Sequence, residues 1–411
     1  MTATCDAAAG TATLSPAGRL SGWLGASFAV CAIGWGANQF TPMLLLYRSQ
    51  LGLSAAIVEA TFGMYAIGLV PGLLIGGRVS DRIGRRPVVA FSVVLSMVAG
   101  VVLMLGPQGV GWLFAGRAIM GVASGGGFSA GSSWIKELST PPYSRAAAAA
   151  GAGARRASVA MTAGFGAGPL VAGVLAQWAP LPTTLPYVPQ LVLAACALPL
   201  VAGAPETAAR GLAGGQRPRL GVHGLGEPRF LWVLLPLAPW VFGSVVIAMV
   251  YMPGLVIGRV HHIGVFFGAL AALVTAMSGV LVQPLARRLD RPDQPRLLVI
   301  GMSLVTAGLL LEAGVAAVGQ PVLVLLTAVV LGCGYGVCLV FGLAEVQRMA
   351  RPAELAGMTA VFQAASYVGF AAPYLLSELR AYASASVLLV AMAALAALTL
   401  AIATWQARRC S

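Results

Sequence analysis

Residues 76–89 read GGRVSDRIGRRPVV and set Arg78, Asp81, Arg82, Arg85 and Arg86 between two long apolar stretches. In a soluble protein such a basic knot would hold phosphate, and the surrounding composition decides against that. Of 411 residues, 59% are hydrophobic and 9% charged, with a mean hydropathy of +0.88. Soluble domains carry about 25% charged residues. Too few charges are present to clothe a water-exposed surface of this size. The chain is therefore expected to be an all-α, polytopic membrane protein.

Outward from this stretch, apolar runs of bilayer-crossing length fall near 22–47, 53–76, 87–106, 110–134, 157–178, 187–204, 230–256, 263–285, 297–317, 321–345, 355–376 and 382–404. An even count of twelve places both termini on one side. The first twenty residues are small, polar and weakly charged, and are expected to form a disordered cytoplasmic tail rather than a signal peptide, which would need a basic start and an apolar core. With the N-terminus inside, twenty-one of the 25 Lys and Arg fall in internal segments, Arg48, Arg259 and Arg380 fall outside, and Arg117 lies within the fourth span. That asymmetry fixes the expected orientation. The formal charge of +13 is then a topology signal, and dispersed basic loops without a reading fold argue against nucleic acid.

The stretch ETAARGLAGGQRPRLGVHGLG, within 205–228, is glycine-rich, basic and without periodicity, so it reads as a cytoplasmic linker. It divides an N-terminal six-helix bundle (21–204) from a C-terminal one (229–404), with a short cytoplasmic tail at 405–411. The halves echo each other. Gly77, Arg85 and Arg86 recur 202 residues later as Gly279, Arg287 and Arg288, while Gln283 replaces Asp81 and Ala286 replaces Gly84. Duplicated bundles of this kind are expected of secondary transporters. The opening stretch then reads as a conformational latch formed by Gly77, Asp81, Arg82, Gly84, Arg85 and Arg86. Gly84 supplies the turn, Asp81 caps the next helix or pairs with an arginine, and the bases stay on the cytoplasmic side.

These residues resemble the loop signature of the major facilitator superfamily, which lies between helices 2 and 3. RAIMGVASG, with Arg117, Gly121 and Gly125, is similar to the family's helix 4 signature. GFGAGPLVAG, with Gly164, Gly168, Pro169 and Gly173, resembles the helix 5 signature of its antiporters, and APET, ending at Thr207, is also similar to family members. The nearest resemblance is to the twelve-helix drug/proton antiporters. It implies two pseudo-symmetric six-helix bundles, alternating access, a gating role for the bend at Pro169, and a central cavity lined mainly by helices 1, 4, 7 and 10. It also implies a role for Arg117 in proton coupling or substrate response.

Arg117 lies about 10 Å into its helix, where a charge needs water, a partner or substrate. Glu59 lies about 9 Å into the second span and is the preferred proton-site candidate; with Arg117 it forms the expected charge-handling pair. Glu312 and Glu345 are expected at span boundaries. Helix 1 has no acidic residue, reading GWGANQFTPMLLLY instead. Candidate cavity residues are Asn38, Gln39, Trp240, Tyr251, Tyr335, Gln363 and Tyr367: amides and phenols orient a ligand without fixing its charge. Scarce cavity charge favours a neutral, amphipathic or weakly cationic solute.

Adjacent His261 and His262 cannot share one metal in the manner of an i, i+4 pair, so no metal or cofactor is expected. No phosphate-loop motif points to nucleotide hydrolysis, and no catalytic constellation supports an enzyme. The expected partners are a small-molecule substrate, protons and the lipid bilayer. The expected activity is export by proton antiport from a bacterial plasma membrane, with both termini cytoplasmic; the Ala, Gly and Arg bias suggests a high-GC genome. The alternatives are an importer or facilitator of a metabolite, and a non-transporting receptor or scaffold.

Overall fold

A computed structural model describes residues 16–144, 152–208, 223–260, 262–291, 294–351 and 354–409. Most of the expected N-terminal tail (1–15 of 1–20) and most of the expected linker (209–222 of 205–228) lie outside them. The described residues are helical, with no strand. In hydrocarbon every backbone group must be satisfied within the chain, and a helix does this segment by segment.

The α-helices are α1 (Pro16–Asn38), α2 (Phe40–Gln50), α3 (Ala55–Ile83), α4 (Arg85–Met104), α5 (Val110–Leu138), α6 (Ala152–Trp178), α7 (Val188–Gly203), α8 (Leu235–Val246), α9 (Met252–Val256), α10 (Gly264–Leu289), α11 (Arg296–Val318), α12 (Pro321–Met349), α13 (Leu355–Tyr367), α14 (Ala372–Leu379) and α15 (Ala385–Arg409). Ten helical stretches among the described residues are long and apolar enough to cross a membrane. With α5 and the segment α13–α14, they are consistent with twelve crossings. Helix α1 begins inside the expected tail and α15 runs to Arg409, so both outer boundaries shift toward the ends of the chain.

Three crossings are interrupted. Gln39 separates α1 from α2; π-helical turns at 230–234 and 247–251 flank α8; and a 3-10 turn at 368–371 separates α13 from α14. Pro236, Pro253 and Pro373 follow the last three breaks, where a ring without an N–H disturbs the ladder. Pro42 follows the first in the same way, its missing N–H leaving the Asn38 carbonyl without its i+4 donor.

The packing repeats between halves. In the first, α3 and α4 both lie on α5, α1 on α6 and α4 on α7; in the second, α10 and α11 both lie on α12, α8 on α13 and α11 on α15. Glycines bring the backbones together. A Cβ on Gly121 would sit 2.2 Å from the Tyr65 carbonyl oxygen, and one on Gly336 would sit 2.1 Å from that of Gly279. The halves meet where α6 and α2 pack on α10, and α3 on α13 and α14. Below, the end carrying the α3–α4 turn is the turn face and the other the far face.

Candidate functional site

On the turn face, α3 continues through Asp81 and Arg82 to Ile83. The second span therefore ends seven residues later than expected, and the turn is Gly84 alone, at φ +113°. Asp81 pairs with Arg85 (Nη1–Oδ1, 2.5 Å) and does not cap α4. The Arg85 guanidinium also donates to Ser80 Oγ at 2.6 Å and, from Nε and Nη2, to Glu137 Oε1 at 3.3 and 3.2 Å. Thr207 Oγ1 donates to the other Glu137 oxygen. No ion pair to Arg82 is seen among the described residues.

The first turn of α4 has backbone N–H groups without helical partners, and Glu206 reaches them from the segment after α7. Its Oε1 accepts from the Arg85 N–H and its Oε2 from the Arg86 N–H, each at 2.9 Å, while Thr207 and Ala208 donate to Oε1 at 3.0 Å. Burial pushes the Glu206 carboxyl up, but the four N–H groups outweigh it and hold the carboxyl below its ordinary value. Trp134 Nε1 donates to the Pro205 carbonyl at 3.0 Å, fastening the same strap to α5.

The second half has a rewired counterpart. Glu345, 2% exposed, accepts from Arg229 Nε at 2.8 Å and Arg348 Nη1 at 2.5 Å, and Arg348 also pairs with Asp290. Glu345 was expected at a span boundary; it lies near the turn-face end of α12 and is buried there as a bridge between the two arginines.

At mid-depth, Arg117 is 1% exposed. The interruption at Gln39 leaves last-turn carbonyls of α1 open, and Arg117 donates to Ala37 O at 2.9 Å and to Phe62 O at 3.4 Å. Its guanidinium carbon lies 4.8, 5.3 and 4.5 Å from the ring centres of Phe40, Phe62 and Tyr65. Phe62 stacks on Phe370 of the other half at 5.3 Å; Phe370 meets Phe242 edge-on at 5.8 Å; and Phe242 stacks on Tyr367 at 4.6 Å and lies 5.7 Å from Tyr335. A continuous row of rings thus runs from the buried cation across the interface.

Toward the far face, a cavity of about 370 Å3 between the halves is lined by Arg48, Glu59, Tyr251, Gly254, Ser377 and Arg380, among others. Arg48 Nη1 donates to the Gly254 carbonyl at 3.4 Å. Gln177 donates to His262 O at 2.8 Å and accepts from the N–H groups of Val265 and Phe266 at 3.1 and 3.3 Å, capping α10 from the other half. Among the described residues, the hydrogen bonds between the halves all lie on this face. A second cavity, about 410 Å3 and mostly apolar, lies between α6 and α10.

Glu59 and Arg117, the expected charge-handling pair, are not in contact: Glu59 lies with Arg48, Ser377 and Arg380, whereas Arg117 is held by carbonyls and rings. Trp240 was expected in the cavity, yet its Nε1 donates to Thr399 of the peripheral α15 at 3.1 Å. Asn38 Nδ2 donates to Phe165 O at 3.2 Å, tying α1 to α6. Gln39 is fully buried, with both amide atoms unpaired among the described residues. Tyr335 and Tyr367 join the ring row, Tyr251 lines the far-face cavity, and Gln363 is half-buried on α13. Helix α6 continues through Pro169, and Cβ atoms on Gly164, Gly168 and Gly173 would lie 2.3, 2.7 and 2.3 Å from atoms of Cys31, Trp35 and Ala269. Gly125 faces Leu69 and Leu73 of α3 as closely, at 2.5 Å, whereas Gly77 has only Ser129 Cβ at 3.9 Å. Glu312, expected at a boundary, is fully buried, with neither oxygen hydrogen-bonded among the described residues. His261 lies outside the described residues.

Glu137, Phe62, Phe242, Phe370 and Gln177 were not anticipated. Glu206 carried a signal only as part of APET.

The family model described as Major Facilitator Superfamily matches residues 24–374. The chain belongs to the Major Facilitator Superfamily. Among characterised relatives of this facilitator, Multidrug resistance protein MdtL of Klebsiella pneumoniae (strain 342) is 33% identical over 90 residues, 22% of this chain and 23% of that protein. MdtL of Salmonella typhi is 30% identical over 91 residues, again 22% of this chain and 23% of the relative. These matches therefore span less than a quarter of the relatives' length. Two solved structures share the facilitator fold. The nucleoside transporter NupG superposes with a TM-score of 0.74 at 12% identity, covering 95% of this chain and 99% of its own. A POT family transporter in complex with 5-aminolevulinic acid gives 0.74 at 14% identity, covering 96% of each.

Proposed function

We propose that this facilitator exports a small amphipathic compound by proton antiport, its two halves (21–204 and 229–404) rocking about the ring row. The observation that carries this reading is that, among the described residues, the hydrogen bonds between halves are confined to the far face. Such an arrangement holds one side shut and leaves the turn face free to part. The arginine bias assigns the turn face, and both termini, to the cytoplasm, so the molecule is poised to receive substrate from inside a plasma membrane.

Aromatic rings and a single buried guanidinium favour a neutral or weakly cationic amphiphile. The partial similarity to a multidrug resistance protein points the same way. Glu59 lines the far-face cavity and would meet protons from outside when that face opens. Phe62 lies one turn inward, about 4.5 Å along α3, and its carbonyl and ring both touch Arg117. A change at Glu59 thus has a direct mechanical route to the cation, without an ion pair between them. On this reading Asp81, Arg85, Glu137 and Glu206 form the latch that resets the cytoplasmic ends.

The test is flux of tetraphenylphosphonium and of neutral amphiphiles in proteoliposomes, with and without an imposed pH gradient. Antiport requires substrate-dependent proton movement that Glu59→Gln abolishes. Saturable flux indifferent to the gradient and to Glu59→Gln would overturn it in favour of a facilitator.

A further inference from the structure

The second half contains an acid that the proposed mechanism does not use. Glu312, on α11, is fully buried, and neither of its oxygens has a hydrogen-bond partner among the described residues. An ionised carboxylate in such a place would lose its hydration with no cation or donor in return. A neutral acid fits the site.

Its surroundings bear this out. Helices α8, α9, α10, α12 and α15 pack on α11. Of these, α8 and α9 carry no ionisable side chain, and Arg287, Arg288, Glu345, Arg348 and Arg409 sit at the turn-face ends of α10, α12 and α15. The register of α11 on α12, fixed by Gly301 against Cys338 and Gly308 against Leu331, brings Thr327 level with Glu312. The first ionisable group of α12, Cys333, lies about 9 Å further along. Arg259 lies against Gly319, beyond the end of α11. Tyr251 is the exception: its hydroxyl, also without a hydrogen-bond partner among the described residues, is within electrostatic reach of both Glu312 and Glu59. Tyr251 also lines the far-face cavity with Glu59, Arg48 and Arg380.

We infer that Glu312 is a second proton-binding site, loaded from the far face through the cavity of Glu59 and the hydroxyl of Tyr251. In this structure the two are not hydrogen-bonded; when the far face opens and brings them within hydrogen-bond distance, Tyr251 gives its hydroxyl proton to the Glu312 carboxylate and takes one from a hydronium in the cavity. One hydronium becomes water, one carboxylate becomes an acid, and the phenol is restored. For its purpose the site rests on the antiport reading, in which it lets the second half register proton entry independently of Arg117.

Infrared difference spectroscopy of the purified full chain in detergent tests this. Wild type at neutral pH is expected to show a protonated-carboxyl band that is lost in Glu312→Gln and kept in Glu59→Gln. Tyr251→Phe should slow deuterium exchange of that band by roughly a hundredfold, the scale of a lost acid–base step. A band surviving in Glu312→Gln, or absent from wild type, would overturn the site. Should Glu312→Gln fail to elute as a folded protein, the exchange rate in Tyr251→Phe decides, and an unchanged rate sinks the route. The two readings fail separately. If wild-type vesicles carry tetraphenylphosphonium without moving protons while the Glu312 band is present, antiport falls and the proton site stands; coupled vesicles without the band reverse that result.

Discussion

Gln177, at the end of α6, accepts the backbone N–H of Val265 at 3.1 Å and so ties one half of the molecule to the first turn of α10 in the other. Its side chain makes two further bonds across the same boundary, to Phe266 N–H and His262 O.

Replacing Gln177 with Leu removes all three. At about 1 kcal/mol for each hydrogen bond, the balance between the two facing states should shift by more than tenfold toward one open on the far face. Spin labels at Leu181 and Ile263, both exposed near this boundary, should report a longer distance in Gln177→Leu than in wild type.

Arg117 is gripped by two carbonyls and three rings, a geometry that suits a planar fork and not an ammonium. Transport should fall by roughly tenfold or more in Arg117→Ala, and Arg117→Lys should not restore it. Flux relative to wild type in the same vesicles checks both. A fully active lysine variant would reduce the residue to a source of charge.

The glycines should separate by environment. Gly121→Ala drives a methyl group into the Tyr65 carbonyl and the Leu69 N–H, at a cost of about 1–3 kcal/mol from overpacking. Gly84→Ala meets both a positive φ and the Glu206 carboxylate, 2.4 Å from its Cβ position. Gly77→Ala, although in the same signature, should change stability by no more than about 0.5 kcal/mol. Thermal unfolding of the three purified variants measures the contrast.

The four N–H donors to Glu206 make the first half sensitive to acid. Because the folded carboxyl is held below its ordinary value, its contribution to stability is complete above the unfolded value, about 4.3. It is lost as pH falls through the lower, folded value. The melting temperature of wild type should therefore drop in acid more steeply than that of Glu206→Gln, which lacks the contribution at every pH.

Trp240→Phe should cost about 1 kcal/mol of stability, the loss of one hydrogen bond, and leave substrate affinity unchanged. An altered KM would return the indole to the translocation path.

How far the sequence foretold this depends on which physical quantity each feature obeys. Crossings are set by the length of apolar runs, so all twelve runs have helical counterparts, three of them interrupted. The break at Gln39 precedes Pro42, which is plain in the sequence but does not by itself mark a break, since proline inside an apolar run is tolerated in membrane helices. The depth of Arg117 could be counted along its helix, whereas the rings around it come from two other helices, α2 and α3, and only Phe62 and Tyr65 share a helical spacing. Glu312 was misplaced for a related reason. Linear position gives distance from a helix end but not which neighbour the face meets, and α11 turns this carboxyl inward. Trp240 failed likewise, since a fraction of a turn about the helix axis separates a cavity residue from a contact with α15.

The strap that ends in Glu206 has a bearing on how the molecule is made. The first bundle is fastened by residues that follow its own last helix, so everything needed to tie the start of α4 has been synthesised before α8 begins. The chain can therefore close one bundle as a finished unit and use it as the surface on which the next assembles. Severed within 209–222, the two fragments should recombine in the membrane when produced together, the first folding without the second.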